Sequence, residues 1–281
     1  MDFGLVSYNT EYGIRPDDAA REAEARGFES IWFPEHTHIP VSRETPFSLG
    51  GELPEQYKHF MDIFVSMTAA AAATQTIKIG AGICLLAQHD PIIAAKSVAT
   101  IDTLSGGRVL FGIGGGWNRE EMANHGTAFA DRWKILRERL AAMKVIWTEE
   151  QASFHGEFVN FDPIWCYPKP LQRPHPPVFL GAVSKAGLKR VVAYCDGWLL
   201  VDPRDGALDR AVPELETLCA ETGRARESVS LTVFATSPLD CALLDAYAAA
   251  GVDRVVSFLA PETPADALAV MDASAPFIER Y

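Results

Sequence analysis

The chain has 281 residues, 37 acidic and 25 basic, for a formal charge of −12. With no basic run or basic amphipathic stretch, this balance argues against a nucleic-acid or anionic-membrane partner and leaves anionic ligands to a local site. The length suits one α/β barrel or two smaller domains.

Five cysteines (Cys84, Cys166, Cys195, Cys219, Cys241) stand far apart without a CxxC pair, which speaks against a disulfide framework or zinc knuckle and for a reducing compartment. The amino terminus MDFGLVSYN lacks an export signature and no apolar run is long enough to span a bilayer, so a cytoplasmic location is expected.

In chain order, strand-like runs lie near 2–7, 29–33, 77–85, 107–113, 177–181, 197–201, 229–235 and 252–257. Helical periodicity follows near 16–27, 61–75, 91–105, 132–148, 184–195, 206–223, 240–250 and 264–279, with start signals such as Pro16-Asp17-Asp18 and Thr263-Pro264. Eight such units without a composition break predict one domain over 1–281, a closed (β/α)8 TIM barrel rather than an open sheet. Glycines before several strands, as in Gly27-Phe28 and Gly251-Val252, suit short αβ turns. Two insertions break the repeat: 34–60 after the second strand, and 150–176 between the fourth helix and fifth strand. Their length predicts lids or specificity segments, the second with a hairpin through His155-Gly156-Glu157.

Barrel chemistry sits at the carboxyl ends of the strands, here Ser7–Asn9, Pro34–His38, Gly82–His89, Gly112–Arg119, Gly181–Ser184, Val201–Arg204, Phe234–Ser237 and Ser257–Pro261. The run VLFGIGGGWNREE from Val109 is no Rossmann fingerprint, because Trp117 occupies the place of the third glycine. Its glycines either bring backbone N–H groups to a bound group or merely turn a strand into a helix. Gly80-Ala81-Gly82-Ile83 interrupts the third strand, either as a bulge pushed into the mouth or as small residues fitting a neighbouring helix. Glu35-His36-Thr37-His38 offers His36 and His38 as zinc ligands, His36 alone as a proton donor, or a structural rim histidine. Gly181-Ala182-Val183-Ser184 opens a helix and reads as an anion site or as an ordinary cap.

With these residues in view, the sequence resembles the luciferase-like monooxygenase superfamily, especially its coenzyme F420-dependent oxidoreductases. The likeness rests on PEHTHIP, on IKIGAGICLLAQHDPIIAAKSVATIDTLSGGRVLFGIGGGWNREE, on FHGEFVNFD with PKPLQRPHPPVFLGA, and on AYCDGWLL. It implies a barrel whose mouth holds F420 or FMN on a bulged third strand at Gly82, Ile83 and Cys84, with a cis Gly82–Ile83 bond. By the same likeness, Gly114, Gly115, Gly116 and Trp117, together with Gly181, Ala182, Val183 and Ser184, would lie along the cofactor's tail.

His36 matches a histidine near the hydride-transfer site of F420-dependent sugar-phosphate dehydrogenases, with Glu35 in place of their aspartate. His36 is therefore the expected acid/base and Glu35 its partner, while Asn9, His38 and Trp117 form the expected substrate pocket. Two departures, Trp117 in place of an acid and Ile39-Pro40 in place of a tryptophan, set the sugar chemistry aside; the fifth helix start also lacks the family's double glycine.

The expected function is hydride transfer between F420 and a small organic substrate, with a homodimer implied by the family and no metal assigned. Three alternatives are an FMN-dependent monooxygenase using oxygen, a metal-dependent barrel hydrolase on His36-x-His38, and a barrel that binds a flavin without catalysis.

Overall fold

The structure, a computed structural model, describes residues 1–202 and 206–281. Pro203 and Arg204, part of one expected strand end, lie outside the described residues. The first half runs β1 (Asp2–Val6), α1 (Pro16–Ala25), β2 (Ser30–Phe33), α2 (Ile63–Ala73), β3 (Lys78–Cys84), α3 (Pro91–Ser105), β4 (Val109–Ile113), α4 (Arg119–Asn124) and α5 (Arg132–Thr148). A hairpin of β5 (Ala152–His155) and β6 (Asn160–Ile164) follows. The second half runs β7 (Val178–Gly181), α6 (Lys185–Tyr194), β8 (Gly197–Asp202), α7 (Ala207–Thr222), β9 (Ser230–Ala235), α8 (Cys241–Ala249), β10 (Arg254–Phe258) and α9 (Pro264–Ser274).

Eight strands close in the order β1-β10-β9-β8-β7-β4-β3-β2, a parallel (β/α)8 barrel as expected. The hairpin forms a separate antiparallel pair inside the 150–176 insertion. Helix ends follow local chemistry. Asp90 caps α3 by accepting from the N–H groups of Ile92 and Ile93, Pro91 fills the first position, and Gly106 at φ 73° ends it in the left-handed conformation. Thr263 caps α9 ahead of Pro264. The short α4, not expected from periodicity, starts at Asn118, whose side chain accepts from the N–H of Glu121. Among the described residues no helix is long and apolar enough to cross a membrane.

Alternation along each strand makes two cores. The outer one fills the space between strands and helices, with Leu5, Ile31, Ile79, Phe111 and Leu180 fully buried. The inner one fills the barrel with Val6, Trp32, Leu110, Phe179, Leu199, Phe234 and Val256. Trp32 meets Phe179 and Phe234 edge-on, with centroids 5.9 and 5.7 Å apart. Gly80 makes room for it: a Cβ there would stand 2.2 Å from Trp32 Cδ2. Small size at Gly80 therefore serves the barrel interior rather than a neighbouring helix.

Beneath this layer, at the amino ends of the strands, the Arg254 guanidinium forks onto Glu29 at 2.7 and 2.6 Å. Glu29 is also paired with Lys78 at 2.6 Å. Asp2 lies 3.6 Å from Arg254, so the barrel floor sets two cations against two carboxylates.

Candidate functional site

Above the inner core the strands open into a cavity of about 530 Å³ at their carboxyl ends. Its floor is the top of β3. Pairing between β3 and β4 slips between Ala81 and Cys84, and the Gly82–Ile83 peptide is cis, as the resemblance implies. The slip is a bulge that turns Ile83 towards the cavity and Cys84, fully buried, away from it.

Beside the bulge, Gly181, Ala182, Val183 and Ser184 line the cavity at the start of α6, and a Cβ on Gly181 would stand 3.2 Å from Ile83 Cδ1. Ser184 caps this helix by accepting from the Gly187 N–H at 3.2 Å, and Gly187 is itself a lining residue. The remaining wall is largely aromatic and aliphatic: Tyr8 and Tyr57 on one side, Trp133 on another, Phe234 and Phe258 between them. Burial raises the Tyr8 and Tyr57 phenol pKa values above the ordinary range, so both are neutral hydroxyls at physiological pH.

His36 sits just behind this wall, 7% exposed. Its Nδ1 lies 2.7 Å from Glu121 Oε2, and Glu121 is fully buried on α4. Its Nε2 accepts from the Trp117 indole N–H at 3.2 Å. An indole N–H only donates, so Nε2 carries the lone pair and Nδ1 the proton given to Glu121. The other Glu121 oxygen accepts from the Thr37 N–H at 3.2 Å. The His36 ring packs against Tyr57, centroids 5.5 Å apart, so Tyr57 stands between the dyad and the cavity.

Several expected positions need correction. Glu35 is not the partner of His36: one oxygen accepts from the Leu85 N–H and the other pairs with His89 Nε2 at 2.7 Å. Neighbouring residues of an extended segment point to opposite sides, so Glu35 and His36 diverge. The polar atoms of Glu35, Cys84 and His89 lie within 4.8 Å of one another under the bulge. Burial alone would lower the His89 pKa, but the hydrogen bond and charge of Glu35 outweigh it and raise the value above ordinary.

His38 does not converge with His36. The chain bends at Thr37, whose hydroxyl meets His38 Nδ1 at 2.9 Å, and Asn124 meets His38 Nε2 at 2.9 Å. Asn9 faces away from the cavity, its amide donating to the Met61 carbonyl at 2.8 Å and the Ser66 hydroxyl at 3.2 Å; its neighbour Tyr8 takes the lining position.

The glycine turn of β4 is not bare. A Cβ on Gly114 would stand 2.0 Å from Ile83 Cδ1, and one on Gly115 would stand 2.8 Å from the Trp133 ring, so those side chains cover the backbone. Gly116 takes φ 71°, which the turn into α4 requires. Trp117 does not wall the cavity; it packs against His36 and Phe47, centroids 5.4 and 5.6 Å away.

Of the expected cofactor residues, Gly82, Ile83 and Gly181 to Ser184 line the cavity, while Cys84, Gly114 to Gly116 and Trp117 form its support. Tyr57 and Trp133 escape a reading confined to strand ends, since one lies in the 34–60 insertion and the other on α5. Glu121 carried a readable signal: Asn118-Arg-Glu-Glu121 has the spacing of a helix cap and its third residue.

Barrel and cavity together define an enzyme fold with its site at the carboxyl ends of the strands. The chain belongs to the luciferase-like monooxygenase family, whose model matches residues 15–258. An uncharacterized protein of Mycobacterium tuberculosis is 44% identical over 228 residues, 80% of each chain. An FMNH2-dependent dimethylsulfone monooxygenase of Pseudomonas putida is 34% identical over 160 residues, 56% of this chain and 44% of that protein. An F420-dependent secondary alcohol dehydrogenase, solved with an F420-acetone adduct, shares the fold at TM-score 0.78 and 18% identity, over 99% of this chain and 98% of its own.

Proposed function

We propose that this chain is a hydride-transferring oxidoreductase that works with F420 on a small organic substrate, and that His36 handles the accompanying proton. The observation that carries the reading is the cavity over the β3 bulge. Its floor is main chain at Gly82 and the side chain of Ile83, and next to Ile83 the α6 start at Gly181 to Ser184 continues the lining. A planar tricyclic ring with an anionic tail asks for such a place: an apolar face for the ring and free helix-terminal amides for the tail.

When bound, F420 supplies two-electron hydride chemistry. The protein's own part is support and proton handling. Gly82 and Ile83 would back the ring, Tyr57 and Phe258 would keep water out, and Ser184 with the first amides of α6 would hold the phosphate. Glu121 fixes the His36 ring with its proton on Nδ1. Because Trp117 holds Nε2, a proton reaches or leaves that nitrogen only when the indole bond opens. Trp117, from behind the wall, and Tyr57, in the wall itself, therefore gate the acid/base group.

The family resemblance and the exposed Val65 and Ile93, each 67% exposed on α2 and α3, support a homodimer as the working assembly. A second reading, a monooxygenase using reduced FMN and oxygen, is favoured by the Pseudomonas putida relative, and the same cavity would take its ring.

Titration with F420 and with FMN, followed by ring fluorescence, separates the two. Saturable F420 binding with weak or absent FMN binding is expected; tight FMN binding alone rejects the F420 reading. His36→Ala should then keep cofactor affinity while turnover falls about a hundredfold or more. Unchanged turnover would remove His36 from the chemistry.

A further inference from the structure

Three arginines and two aromatic rings alternate along the outer side of the cavity. Arg190, on α6, stacks on Trp133 with its guanidinium carbon 4.4 Å from the ring centroid. Arg132 lies 5.6 Å from the same ring and 3.7 Å from that of Phe129. Arg119, on α4, covers Phe129 at 4.5 Å. The row begins at the cavity wall, since Trp133 is a lining residue, and ends at the exposed Arg119.

Among the described residues no carboxylate lies within ion-pairing distance of any of the three, in a chain with 37 acidic side chains. Arg132 Nη1 donates to the Phe129 carbonyl at 2.8 Å, while its Nε is buried without an acceptor. Burial, and then the fields of Arg190 and Arg119, lower the Arg132 pKa. Like charges gathered without counter-charge are costly unless an anion joins them. Stacking uses the flat face of a guanidinium and leaves its N–H donors free in the plane, so the rings fix the cations without consuming their binding capacity.

Resting on the F420 reading, we propose that Arg119, Arg132 and Arg190 form a rail for several successive anionic groups. The rail binds the carboxylates of a glutamyl tail that continues past the phosphate held at Ser184 and the first amides of α6. FMN ends at its phosphate and would leave the rail without a partner. The rail therefore selects a long polyanionic tail over a short one.

The test is equilibrium binding by ring fluorescence with three probes: complete F420, F420 stripped of its glutamyl residues, and FMN. The intact protein should prefer complete over stripped F420 by about tenfold or more, and Arg119→Gln, Arg132→Gln and Arg190→Gln should each reduce that preference by roughly threefold to tenfold. Added salt should erode the same preference. Affinity for the stripped form should stay constant across the variants, which also reports that they fold. Equal binding of both F420 forms by the intact protein overturns the rail and leaves the F420 reading standing. Equal loss for both forms in the variants assigns the arginines to the phosphate and also overturns it. Binding of FMN alone rejects the cofactor reading and the rail together.

Discussion

The two ends of the barrel handle charge in opposite ways. At the amino ends of the strands Arg254 is 5% exposed and met by Glu29, Thr232 and the Trp32 ring. At the carboxyl ends Arg119, Arg132 and Arg190 rest on aromatic faces, and among the described residues none faces a carboxylate. One end closes the fold with its own counter-charges; the other keeps cations waiting for an outside anion. Burial divides in the same way. Trp32, Phe179 and Phe234 fill the lower barrel, whereas the upper layer at Gly82 and Gly181 gives way to a cavity of about 530 Å³. Stability and ligand binding are thus assigned to opposite ends of the same strands, as the barrel fold allows.

The largest effect that can break this contrast is at the floor. Arg254→Gln leaves the half-buried Glu29 carboxylate with Lys78 as its remaining cation, and urea denaturation should show a loss of about 3 kcal/mol. At the mouth, Arg190→Gln should change stability by no more than about 0.5 kcal/mol. Similar losses at both ends would erase the distinction.

Next come the glycines. Gly80→Ala drives a Cβ into the Trp32 ring system and should cost about 1–3 kcal/mol. Gly114→Ala meets the Ile83 side chain alone, chiefly its Cδ1 end with Cγ1 at 3.2 Å, and that end can swing into the cavity. Its stability cost should be smaller, and its loss of ring binding in the fluorescence titration larger, than for Gly80→Ala.

The smallest effects are in pH. Glu29 is held at about 2 because Arg254 and Lys78 outweigh the upward push of burial. Its contribution is present above the ordinary carboxylate value of 4.5 and is lost as pH falls through about 2, so Glu29→Gln should flatten the acid limb of a stability profile. His89 runs the other way. Its raised pKa makes the pairing with Glu35 fully effective below the ordinary histidine value of 6.5 and lost as pH rises through the folded value. His89→Gln should remove a small decline in melting temperature between pH 6.5 and the folded value. A slope unchanged by either substitution would disconnect that group from stability.

Strand positions were legible because buried parallel strands leave short β-branched and aromatic runs, and because glycine or capped helix starts frame them. Where a side chain points at the end of a strand was much less legible. Glu35 beside His36, Asn9 beside Tyr8 and Cys84 beside Ile83 are each one residue from a cavity or dyad position, and one residue reverses the face. The bulge on β3 shifts that alternation locally. The true partner of His36 is Glu121, 85 residues away, a pairing that only closure of the barrel creates. The glycines at 114–116 announced close approach, but the groups that approach are Ile83 and Trp133 of the chain itself. The arginine row joins α4, the first turn of α5, and α6, and no local pattern marks it.

A crystal structure of the protein soaked with F420 tests the central claim most directly. The account predicts the ring lying on the Gly82–Ile83 bulge with its phosphate at Ser184 and the first amides of α6. A ring bound elsewhere, or a cavity that stays free of cofactor at saturating concentration, would contradict it.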